Sequence, residues 1–227
     1  MRYENKCFTC NDFAEQCYVL SNDKGEAIVI DPGFCYEKER NEFQQYVKDS
    51  NLTIKYVLNT HLHVDHILGN RFIEKTYGVG ASACEQDEPL LENMCSYAQM
   101  FGLVGRSFSM SDFSEHLEAL PLVHLLKAGD VVAVDGIELD VMHIPGHTMG
   151  HLAFYDKKDS CVFVGDILFK GSIGRTDLAG GDPYEMQRLL VEGIRKHLLV
   201  LPDETKVYSG HGPSSTIGFE KTNNPYL

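Results

Sequence analysis

The chain has 227 residues, 43% of them hydrophobic and 23% charged, a composition that excludes wholesale disorder and leaves room for a sizeable core. A formal charge of −13 excludes the broad basic surface that nucleic acid needs, while a locally positive centre for a small anion stays possible. No run is apolar for long enough to span a bilayer and the start, MRYENKCFTCNDFAEQ, has no apolar signal core, so a cytoplasmic protein without a membrane partner is expected.

In chain order, CYVLSNDKGEAIVIDPG holds two apolar runs, 17–20 and 27–30, around a polar Asn-Asp-Lys-Gly turn, which predicts a β-hairpin stopped by Asp31-Pro32-Gly33. Residues 36–50 carry helical spacing, IKYVLNT is a short strand, and ILGNRFIEKTYG reads as a helix closed by Gly78. Residues 85–120, rich in Met, Phe, Leu, Glu and Ser, read as a helical insertion between two sheet-forming halves. From 129 the β pattern returns in GDVVAVDGIELDVMHIPG and HLAFYDKKDSCVFVGD, followed by an amphipathic helix over 184–198 and a last strand in TKVYSGHG. Strands and helices in the same order in both halves predict an α/β sandwich, one domain over residues 1–227.

Seven cysteines, at 7, 10, 17, 35, 84, 95 and 161, are odd in number and scattered, which fits reduced thiols in a reducing compartment. Cys7 and Cys10 form a lone C-x-x-C with no second pair at zinc-site spacing, and read as ordinary strand residues.

The chemistry is concentrated in THLHVDH, residues 60–66, with four metal-binding side chains in six positions. In an extended segment His61, His63 and Asp65 share one side and His66 turns away; a bend after the strand brings His66 back, so that one stretch can feed two ions from adjacent faces. Three further stretches end an apolar β run in candidate ligands beside glycine: VMHIPGHTMGH with His143, His147 and His151, CVFVGD with Asp166, and KVYSGHG with His211. His116, His124 and His197 have no such neighbourhood. Imidazole and carboxylate donors without thiolate leave zinc, iron or manganese as candidates.

Together these residues resemble the metallo-β-lactamase superfamily, whose T-H-x-H-x-D-H, G-H-T-x-G-H, strand-end G-D and final G-H are matched in order. The resemblance implies a four-layer αββα fold with the site at one edge of two packed sheets. Within the superfamily the chain is similar to glyoxalase II and its short bacterial relatives through GDILFKGSIGRTDLAGGD and the ending NPYL. Carried over residue by residue, the resemblance implies His61, His63 and His147 on one metal, Asp65, His66 and His211 on a second, and Asp166 bridging both. It also implies two divalent ions, zinc first with iron or manganese as alternatives, and hydrolysis of a thioester such as a hydroxyacyl conjugate of glutathione by a metal-activated hydroxide that Asp65 orients. His143 and His151 are expected to support ligands rather than bind metal. Arg175, in GSIGRTD, is either a clamp for the substrate or the partner of Asp177.

Two features depart from full-length glyoxalase II. Sixteen residues follow His211 where that family carries a further helical region that contacts glutathione, and Pro213 stands near a position it gives to an aromatic residue. The competing enzyme reading is an iron-dependent persulfide dioxygenase, whose three ligand positions correspond to His61, His147 and Asp166. A β-lactamase, a nuclease and a non-enzymatic metal binder fit less well: the start has no export signal, no nucleic-acid-binding region is evident, and every ligand position is filled.

Overall fold

The computed structural model describes residues 3–92, 94–100, 102, 122–178 and 181–227. The first half builds one sheet, in the order β1 (Glu4–Cys10), β2 (Glu15–Ser21), β3 (Glu26–Ile30), β4 (Thr53–Leu58), β5 (Ala81–Ala83) and β6 (His124–Leu125). The hairpin predicted between residues 17 and 30 is the antiparallel β2–β3 pair, and from β3 to β6 the strands run parallel.

Most of the second half builds the other sheet, from β7 (Val131–Val134), β8 (Ile137–His143), β9 (Leu152–Asp156) and β10 (Cys161–Gly165). A small hairpin of β11 (Leu168–Phe169) and β12 (Ser172–Ile173) stands apart, and β13 (Lys206–Ser209) and β14 (Ser215–Thr216) complete the order β14-β13-β10-β9-β8-β7.

The period-2 alternation of the strands makes the layers. Tyr18, Leu20, Ile28 and Ile30 face Leu152, Phe154, Cys161 and Phe163 across a shared core between the sheets. The alternate residues Val19, Ala27 and Val29 turn outward onto Phe43 and Val47 of α1 (Glu37–Asp49) and Ile73 of α3 (Asn70–Tyr77), while α2 (Val64–Ile67) packs in a separate cluster with Leu68 and Ala83. On the far side Ala153, Tyr155, Val162 and Val164 meet Leu190 and Ile194 of the later helix. Helix, sheet, sheet and helix are the four layers expected. Both faces of the inner strands are buried, so CYVL and CVFV read as continuous apolar runs rather than alternating ones.

The helices begin and end where their residues dictate. Gly78 closes α3 in the left-handed conformation, φ +74°. The 3-10 turn Glu85–Asp87 leads to α4 (Glu88–Glu92) and α5 (Met94–Met100); these are the described part of the predicted insertion, and 103–120 lies outside the described residues. Asp182 caps α6 (Pro183–His197), accepting from Tyr184 N at 2.8 Å, with Pro183 in the first turn and Arg195, Lys196 and His197 in the last. The last helix is α7 (Ile217–Asn223), capped by Thr216, whose Oγ1 accepts from Phe219 N. No helix among the described residues is long and apolar enough to cross a membrane.

Topology positions the site. β10 is parallel to β13 and antiparallel to β9, which is antiparallel to β8, so β8, β10 and β13 point the same way. The segments carrying His147, Asp166 and His211 therefore leave one edge of their sheet, beside the C-terminal ends of β3 and β4, where Asp31 and THLHVDH emerge. Leu152 N donates to Thr60 O at 2.7 Å and Gln16 N to Gly210 O at 2.8 Å, stitching the two halves together at that edge.

Candidate metal centre

THLHVDH does not continue the strand. β4 ends at Leu58, and His63 is the N-cap of α2, so Asp65 and His66 fall on one helical turn rather than on opposite sides of an extended chain. That turn brings His66 Nε2 to 3.8 Å from Asp65 Oδ2. The remaining segments converge on it. His61, His63 and His147 form one cluster of potential metal-binding atoms, and Asp65, His66 and His211 form a second, each with its atoms within 4.8 Å of one another. Asp166 touches both: Oδ2 is 3.7 Å from His147 Nε2 and 3.6 Å from His211 Nε2, while Oδ1 is 3.5 Å from His66 Nε2.

The outward ring nitrogens show what the inward ones are for. His147 Nδ1 donates to Arg175 O at 2.8 Å and His211 Nδ1 to Phe13 O at 3.0 Å. His66 Nδ1 donates to Asp31 Oδ2 at 3.1 Å, and His61 Nδ1 to Thr60 Oγ1 at 3.1 Å, the hydroxyl itself donating to Asp31 Oδ2 at 2.6 Å. Each of these four rings spends its proton outside the site and turns an Nε2 lone pair inward. His63 presents Nδ1 instead, 3.0 Å from the Nε2 atoms of both His61 and His147. Three nitrogens facing one another at this spacing repel unless a proton or cation sits among them.

The electrostatics divide the clusters. Burial, with the neighbouring rings, pushes His61 well below its usual pKa and His63 down to about 3, so both are neutral as metal ligands must be. Burial also works against charge on His66, but Asp65, Asp166 and Asp31 outweigh it and raise its pKa well above the usual value. The carboxylates thus favour positive charge at this point, a preference that a divalent cation satisfies. Burial would raise Asp166 too, yet His66, His211 and His147 hold its carboxyl well below the ordinary range. The buried atoms His66 Nε2 and Asp166 Oδ1 have no hydrogen-bond partner among the described residues. The donor set, its orientation and its charge fit divalent metal ions.

Three acids outside the sequence motifs support the centre. Asp31 takes Thr60 N at 2.7 Å as well as the Thr60 hydroxyl and His66, and does so at φ +48°, a conformation costing a non-glycine residue about 1–3 kcal/mol. It belongs to a third, overlapping cluster with His61 and His66, but its oxygens are already committed to orienting THLHVDH. Asp87, buried on the 3-10 turn, accepts from Thr148 Oγ1 at 2.7 Å, Gly150 N at 2.6 Å and Leu62 N at 3.4 Å, so one carboxylate ties the GHTMGH loop to THLHVDH. Glu15 is wholly buried with Oε1 3.9 Å from His66 Nδ1, and burial raises its carboxyl well above the usual range. Each lies more than twenty residues from its partners in sequence, so no local pattern marked it. Asp31→Asn, which keeps the shape and removes the charge behind His66, is expected to weaken divalent-ion affinity about 10–100-fold in a chelator-competition titration. Unchanged affinity would show that His66 is held without it.

His151 stacks on His61 with ring centroids 4.5 Å apart; its Nδ1 donates to Leu152 O at 3.0 Å and its Nε2 accepts from Asp166 N at 3.2 Å. Both nitrogens are used, so it supports the centre from behind. His143 donates to Met149 O at 2.8 Å. A cavity of about 260 Å³ opens over the clusters, lined by His63, Asp65, His147, Asp166 and His211 together with Phe13, Val64, Tyr97, Arg175 and Leu178. Arg175 lines it and its guanidinium is paired with Asp177, the second of the two descriptions given by the sequence.

The family model of the metallo-β-lactamase superfamily matches residues 10–211. The chain belongs to that superfamily. Hydroxyacylglutathione hydrolase GloC of Haemophilus influenzae is 35% identical over 217 residues, covering 95% of this chain and 93% of the relative. Among solved structures, the BLEG-1 B3 metallo-β-lactamase superposes with a TM-score of 0.82 at 33% identity over 99% of both chains. TTHA1623, crystallised in a di-iron-bound form, superposes with a TM-score of 0.78 at 33% identity over 98% of this chain and 100% of its own. As a metallo-β-lactamase superfamily member the chain is a metal-dependent hydrolase by family, and its candidate metal ligands stand at the sheet edge where the fold gathers its strand ends.

Proposed function

We propose that the protein hydrolyses a thioester, a hydroxyacyl conjugate of glutathione or a similar small thiol, with two divalent metal ions as cofactors. The observation that carries this reading is the set of inward-facing nitrogens, four of them fixed by outward hydrogen bonds, with Asp166 in contact with both clusters. His61, His63 and His147 would hold one ion, Asp65, His66 and His211 the other, and Asp166 both. Ions bound there supply an activated water near neutral pH and polarise the substrate carbonyl.

The chain's own residues do the rest. Asp65 lies on the cavity with Oδ2 3.3 Å from His211 Nε2, where it can accept a hydrogen bond from the attacking water and fix its direction. Asp31 and His151 keep the rings of His66 and His61 from turning, and Asp87 holds together the two loops that carry the ligands. A thiol with a pKa of about 8.5 leaves as its thiolate without protonation by a protein acid, and among the described residues that line the cavity there is no serine or cysteine to act as a nucleophile. The kinship with GloC supports the thioester; its name describes that protein.

Metal content by elemental analysis, with S-lactoylglutathione cleavage, lactam cleavage and persulfide-dependent oxygen uptake assayed on the same sample, tests the reading. Two ions per chain with thioester cleavage are expected. One iron per chain with oxygen uptake would replace it by a persulfide dioxygenase, and lactam cleavage alone by a lactamase.

A further inference from the structure

The cavity over the two clusters has a mixed lining. Phe13, Val64, Tyr97 and Leu178 contribute apolar surface, and Arg175 is the one lysine or arginine among the described residues that line it. Arg175 is fixed at both ends. Its carbonyl accepts from His147 Nδ1, and its guanidinium donates through Nε to Asp177 Oδ1 at 2.7 Å and through Nη2 to Asp177 Oδ2 at 2.6 Å. That side-on fork is one of the two edges with which arginine grips a carboxylate, and an aspartate two residues along already fills it and offsets the charge. The same contact holds the Asp177 carboxyl down at about 2, so it stays charged throughout the neutral range. With a net charge of −13, the chain as a whole gives anions no long-range attraction to compensate.

We propose that Asp177 sets the specificity of the cavity by cancelling Arg175, so that the thiol arm of the substrate is selected by an uncharged, apolar stem against Phe13, Tyr97 and Leu178. A carboxylate on that arm gains nothing at Arg175. The inference rests on the thioester reading above and goes beyond it by naming which thiols are favoured, small thiols with an uncharged arm ahead of glutathione with its carboxylates, and which residue decides.

The test compares two thiols that differ in one charge, N-acetylcysteine and its carboxamide, binding to the zinc-loaded protein by calorimetry. The readout is the ratio of their dissociation constants in the wild type, Asp177→Asn and the double variant Arg175→Gln/Asp177→Asn. Asp177→Asn opens the cation and is expected to shift the ratio about fivefold toward the acid, the scale of a half-exposed ion pair. The double variant, again without net charge, should return within about twofold of wild type. A ratio in Asp177→Asn within about twofold of wild type overturns the proposal. So does a fivefold loss of acid binding in the double variant, because Arg175 would then already read carboxylates in the wild type. Thioester turnover on the same samples separates the two readings: turnover without the shift removes the Asp177 inference alone, and the shift without turnover removes the hydrolase and leaves Asp177 as the determinant of what binds.

Discussion

Asp166→Ala is expected to lose at least about 100-fold in thioester turnover and to release metal, a larger effect than removing an outer partner of a ligand, which costs about 10–100-fold. The reason is its contact with His147 on one side and with His66 and His211 on the other. Removing it takes a negative charge from both clusters at once. Asp166→Asn keeps the shape and the backbone bond to His151 Nε2 but halves the acceptor capacity, and should fall between wild type and alanine. Elemental analysis beside steady-state kinetics checks this; full metal occupancy with near-normal turnover in the alanine variant would show that Asp166 does not join the clusters.

Phe154→Ala should instead damage the fold and leave the chemistry. Phe154 is wholly buried between the sheets, opposite Val141 on one strand and Phe163 on the other. Truncating a buried phenylalanine costs about 3–5 kcal/mol, of which the cavity left behind is part. For a chain of this size each kcal/mol moves the melting temperature by about 2–4 °C, so a fall of roughly 6–20 °C is expected by calorimetry. Protein that remains folded should keep its metal content. A shift below about 3 °C would mean that the two sheets close over the gap.

The parts of the fold legible in the sequence are those with a local signature. Asn-Asp-Lys-Gly between 17–20 and 27–30, and Asp-Lys-Lys-Asp before CVFV, marked hairpins because turn residues interrupt apolar runs. Which of Tyr18 and Val19 faces the other sheet was not legible, since both are buried and only the packing of a second layer distinguishes them. The two-residue strands β6 and β14 are too short for any pattern to register. At the site, the histidines and aspartates were legible because they crowd together at strand ends. Their partition was not legible from alternation alone, which puts His61, His63 and Asp65 on one side; the bend that the sequence allowed after the strand is the turn of helix at Val64, and the two clusters are those the resemblance implied. Asp31, Asp87 and Glu15 escaped for a different reason, each being a single acid whose partners the topology supplies from distant segments.

The halves of the chain build separate sheets, and neither half alone completes either of the two clusters that Asp166 joins. His61 and His63 come from the first and His147 from the second; Asp65 and His66 come from the first and His211 from the second. An ion bound in either place would therefore cross-link two layers that otherwise adhere through their apolar core and a few hydrogen bonds between the sheets. By mass action, each ion at a hundredfold excess over its dissociation constant adds about 2.7 kcal/mol against their separation. Loading thus acts as a clasp on the architecture itself, and chelation loosens the seam between the sheets as well as disarming the catalyst.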